Sequence, residues 1–94
     1  MNKRKKTERR IDVERVQTGM RLEKRLLKVL KAMAEYHDLA LGDLIEGICL
    51  YAFDGILPFD EEQRRKIAKL KEIYGLELDS SASHRLDDVA EDAA

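Results

Sequence analysis

The chain has 94 residues, 44% of them hydrophobic and 39% charged, with a formal net charge of −1 and one cysteine. That length fits one small domain, the apolar share is too high for a fully disordered chain, and no apolar run approaches the roughly 18 residues of a membrane span. No apolar stretch follows the basic start as a secretory signal would require, and one cysteine cannot close an intrachain disulfide, so the expected setting is a reducing cytoplasm with no membrane attachment.

The net charge hides an asymmetry. Residues 1–35 carry twelve Lys/Arg against five Asp/Glu, whereas residues 76–94 carry Arg85 against six acids. A basic first half points to a polyanion partner. Residues 1–11 lack periodicity and read as a disordered basic arm, in which Lys3, Arg4, Lys5, Lys6, Arg9 and Arg10 would meet phosphate.

Next comes Val16-Gln17-Thr18-Gly19-Met20-Arg21-Leu22. It alternates apolar or small residues with polar ones, the pattern of a half-buried strand. A lone strand leaves its backbone groups unpaired. The simplest partner is the same strand of a second copy, so a homodimer with a two-stranded ribbon is expected, Gln17 and Arg21 facing outward. A 94-residue chain alone would also have a marginal core.

A first helix is expected from about Glu23 to Tyr36, with Leu26, Leu30 and Met33 as its apolar stripe and Leu27 and Ala34 beside it. His37–Ala40 is a short connection. A second helix, about Leu41 to Phe53, is apolar on most sides and therefore expected to be central. Gly47 sits inside it at a propensity cost of about 1 kcal/mol, which a close helix–helix approach would explain. Cys49 falls on its apolar face and is expected to be a buried small hydrophobe. After the Phe53–Phe59 break, Asp60 and Gln63 form a capping-box pattern for a third helix that ends at Tyr74, with Gly75 in the C′ position. Its stripe is Ile67, Leu70, Ile73 and Tyr74. The acidic remainder is expected to be disordered, with a weak helix around Leu86–Ala90.

A strand, an amphipathic helix, a four-residue turn and an apolar helix within about 40 residues resemble the ribbon-helix-helix DNA-binding family. Arg21-Leu22 matches that family's strand end, Leu26-Leu27 and Leu30 its first helix, and Leu44-Ile45 its second. The resemblance covers about residues 15–53. It implies a mainly α fold: one N-terminal strand paired across a homodimer, two core helices and an added third helix. It also implies an antiparallel ribbon in the major groove of duplex DNA, with Arg15, Gln17, Gly19 and Arg21 facing the bases. Arg can bridge guanine O6 and N7, and Gln adenine N6 and N7. The backbone N–H groups of Leu41, Gly42 and Asp43, at the start of the second helix, would face phosphate. Two positions depart from the family: Gly19 has no side chain to read a base, and Ala40 stands where a Ser or Thr cap is frequent.

No enzyme chemistry is legible. Gly42–Gly47 has the glycine spacing of a phosphate loop, but Ile48-Cys49 stand where Lys and Ser/Thr are required. His37, His84 and Cys49 have no metal-site spacing, so neither a metal nor another cofactor is expected. The organisation expected is an arm over 1–11, a dimerisation and DNA-binding unit over 12–53, a linker and third helix over 54–75, and a tail over 76–94. The function expected is that of a transcriptional repressor or plasmid-maintenance regulator, with higher-order assembly on DNA as an option beyond the dimer. The alternative is an antitoxin-like protein-interaction module whose C-terminal helix, through Ile67, Leu70, Ile73 and Tyr74, and acidic tail capture a protein partner.

Overall fold

Three helices carry the structure, a computed structural model that describes residues 10–89. They are α1 (Lys24–Tyr36), α2 (Leu41–Phe53) and α3 (Glu61–Tyr74), followed by a short 3₁₀ turn at Ser80–Ala82. Helix α1 packs on both of the others, while α2 and α3 make no close backbone approach to each other.

Local chemistry sets the helix ends. Glu23 accepts a hydrogen bond from the Leu26 N–H at 2.7 Å and so caps α1. The expected capping box of α3 is formed: the Asp60 carboxylate accepts from the Gln63 N–H at 2.7 Å, and the Gln63 side chain accepts from the Asp60 N–H at 2.8 Å. All three helices finish alike. A residue at positive φ (Asp38 at 57°, Gly55 at 74°, Gly75 at 71°) reverses the chain. The next N–H then donates back across the last turn: Leu39 to Ala34, Ile56 to Tyr51, Leu76 to Lys71. This satisfies carbonyls the helix leaves open. Leu39 and Leu76, delivered by two of these turns, pack into the core.

The core is small. Val29, Met33, Ala34, Leu44 and Leu76 are buried, and Leu30, Leu39, Ile48, Phe59, Ile67 and Leu70 pack partly buried around them. The buried face of α1 is rotated from the expected stripe: Val29 is inside, and Leu26 is 37% exposed. Helix α2 is not central within the single chain. Only Leu44 is buried, and Cys49, expected inside, is exposed. Helix α3 turns Ile67 and Leu70 inward and leaves Ile73 on the surface.

The expected strand is absent. Among the described residues the fold is helical, and residues 10–23 have no regular secondary structure. The mainly α expectation stands, but the ribbon-helix-helix architecture built on a paired strand is overturned. The alternation of residues 16–22 fixes which side chains are apolar. A strand also needs a hydrogen-bonded neighbour, and the described residues offer none. Neither face is covered here: Val16 is 79% and Met20 64% exposed. The weak helix expected near Leu86 is not formed through Val89 either.

Candidate nucleic-acid interface

The segment before α1 lies against the starts of α1 and α2. Thr18, Met20, Leu22, Leu27, Lys31 and Ile45 are among the residues lining an open cleft of about 700 Å³ between them. This placement joins two groups of residues that the sequence left separate.

Arg15 reaches α2. Its Nε and Nη2 donate to Glu46 Oε2 and Oε1 at 2.9 and 2.8 Å, a two-pronged pair, and Nη2 lies 3.3 Å from Asp43 Oδ1. The hydrogen bond to Glu46, and next the carboxylate's charge, push the guanidinium further toward its charged form. The same hydrogen bond holds the Glu46 carboxyl below the usual range. One expected base-facing cation is therefore neutralised by two carboxylates of α2.

The start of α2 is equally changed. Leu41, Gly42 and Asp43 form its first turn, and Ala40 supplies no side-chain cap. An incoming phosphate would meet the Asp43 and Glu46 carboxylates beside those N–H groups, which opposes the attraction of the helix dipole. The ion pair with Arg15 offsets that repulsion only while Arg15 stays on α2.

Gln17 and Gly19 are exposed, and a Cβ at Gly19 would meet nothing within 4 Å. The Arg21 side chain is 85% exposed, with Nη2 2.7 Å from Asp88 Oδ2. Of the arm, Arg10 is described and exposed; Lys3, Arg4, Lys5, Lys6 and Arg9 lie outside the described residues.

Beyond the expected set, α1 carries exposed Lys24, Arg25, Lys28 and Lys31. Among the described residues none of the four is in an ion pair. Lys28 Nζ stands 6.0 Å from the Tyr74 ring centre. With Arg21 they give the first half of the chain a cationic surface. None of these four basic residues was among those expected to contact DNA. Glu46 and Asp88, which decide how Arg15 and Arg21 are used, carried no local signal at all.

The remaining candidates fall away from this surface. His37 packs edge-on against Tyr36, ring centres 5.1 Å apart, and its Nε2 is buried without a hydrogen-bond partner. It lies beside a cleft of about 820 Å³ between α2, α3 and the Ile56–Phe59 loop. No cluster of His, Cys, Asp and Glu suited to a metal occurs among the described residues. No helix among the described residues is long and apolar enough to cross a membrane.

Comparison with known proteins adds no relative to this picture: no family model, no curated protein and no solved structure matches the chain.

Proposed function

We propose that this chain is a self-associating DNA-binding protein, acting as a transcriptional repressor or plasmid-maintenance regulator. The observation that carries the reading is the cationic surface of Arg21 and α1. Five exposed basic side chains, Arg21, Lys24, Arg25, Lys28 and Lys31, lie within eleven residues of sequence. Such a surface attracts the phosphate backbone and releases its counterions, which supplies affinity on any duplex. Arg21 is the base-reading candidate, because an arginine can bridge guanine O6 and N7. Arg15, held by Glu46 and Asp43, is assigned no DNA contact.

Self-association is supported by apolar surface. Val16, Met20, Leu50, Tyr51, Phe53 and Leu57 are each half or more exposed. Among the described residues only five form the buried core, which gives a single copy little reserve. A Cβ at Gly47 would meet nothing within 4 Å, so the space beside α2 is open to a second copy.

The protein-interaction alternative loses half of its helix residues. Ile67 and Leu70 pack against the chain's own core, which leaves Ile73 and Tyr74 for a partner.

The test is a mobility-shift titration with duplex DNA over a salt series, beside a solution mass. Affinity that falls linearly in log K against log salt, with a slope of about −0.9 per phosphate contact, supports the reading. A chain that binds lipid vesicles but no duplex, or a protein partner but no duplex, refutes it.

A further inference from the structure

The chain beyond α3 turns back over α1. Gly75, at φ 71° and ψ 29°, makes the reversal, and Leu76 is buried beside the α1 residues Val29 and Met33. Asp79 then organises the short turn: its Oδ1 accepts from the Ser81 N–H at 3.0 Å and from the Ser81 hydroxyl at 2.6 Å. Those hydrogen bonds hold its carboxyl below the usual range. The Arg85 guanidinium donates back to the Ser81 carbonyl at 3.0 Å, and His84, at φ 65°, redirects the chain. Leu78 and Leu86 close over an apolar cavity of about 530 Å³ that Leu26, Leu30 and Ile67 also line. The path ends with Asp88 on Arg21, 67 positions away in sequence.

We propose that residues 76–89 form an acidic strap that competes with duplex DNA for the Arg21 end of the cationic surface. The proposal rests on the DNA-binding reading above. A carboxylate on a guanidinium uses the same donors that a guanine edge or a phosphate would use. Asp88 therefore stands where the nucleic acid would stand, on the Arg21 guanidinium. The contact is weak by design of its surroundings: Arg21 and Asp88 are 85% and 73% exposed, and such pairs are screened by salt. The strap is thus a competitor that a duplex displaces. Leu76, buried at its root, keeps it close to Arg21 after displacement.

The test uses the full chain, the double variant Asp87→Asn/Asp88→Asn, and a mixed-sequence duplex of about one to two helical turns. The variant is expected to bind about two- to fivefold more tightly at low salt and no more tightly at high salt, where screening removes the competition. In parallel, backbone amide shifts of residues 84–89 are followed by NMR in the wild type and in Arg21→Gln. Folded shifts that move to random-coil values in Arg21→Gln support the strap. Random-coil shifts in the wild type overturn it. A duplex bound equally by wild type and double variant at low salt also overturns it and leaves the DNA-binding reading standing. A duplex bound by neither overturns the DNA-binding reading, and the competition with it.

Discussion

Met33 is the most completely enclosed side chain described, 1% exposed on the face of α1 that meets α2, α3 and Leu76. Met33→Ala removes three heavy atoms from that position. Their lost transfer free energy is about 2 kcal/mol at roughly 0.8 kcal/mol per buried methylene. The cavity left behind adds up to about 2 kcal/mol if the helices do not close over it. The expected loss is therefore about 2–4 kcal/mol. A domain of this length has a total stability of roughly 5–14 kcal/mol, and a core of five buried residues among those described places this one toward the lower end. The assay is urea unfolding followed by circular dichroism. With a slope near 1 kcal/mol/M, as is common for small domains, the midpoint should fall by about 2–4 M with the slope unchanged. Val89→Ala, at a position 87% exposed, is the control and should stay within about 0.5 kcal/mol of wild type. A Met33→Ala loss below about 1 kcal/mol, with the slope unchanged, would refute the placement of the core.

Leu50→Glu, on the uncovered face of α2, should lower the solution mass toward one chain at micromolar concentration; a wild type already at the mass of one chain refutes the self-association argument. Arg15→Ala should weaken duplex binding much less than Arg21→Ala, because Glu46 and Asp43 already neutralise Arg15. For Arg21→Ala the expected loss at a preferred site is about 1–3 kcal/mol, and equal losses for the two variants would count against the assignment. The Glu46 carboxyl should titrate below the ordinary glutamate range and move up in Arg15→Ala, read from its carboxyl carbon shift. Because its folded-state value is depressed, the pair contributes stability that is present above the ordinary range and is lost as pH falls through the folded value. A Glu46 titration identical in wild type and Arg15→Ala would remove the pair from the solution structure.

What the sequence determined by itself is local. The ends of α2 and α3 coincide with the expected ones, and α1 differs by one residue, because a cap or a reversal is decided within four or five positions. Asp60 with Gln63 and Gly75 at positive φ are such cases. Which face of α1 goes inside was only approximately legible. The Leu26-Leu30-Met33 stripe and the Val29-Met33-Ala34 stripe are both apolar, and only the arrival of Leu44 and Leu76 from elsewhere selects the second. The strand was not decided locally at all. Alternation sorts the side chains of residues 16–22 but cannot supply the backbone partner a strand requires. The candidate site divides the same way. That the first half is cationic and the last part acidic is composition, open to any reader of the chain. That Arg15 is neutralised by Glu46, 31 positions away, while Arg21 stands out and meets Asp88, 67 positions away, is decided by tertiary packing alone. A charge reads the same in sequence whether or not it is paired, and its partner is set by where the helices bring the chain back.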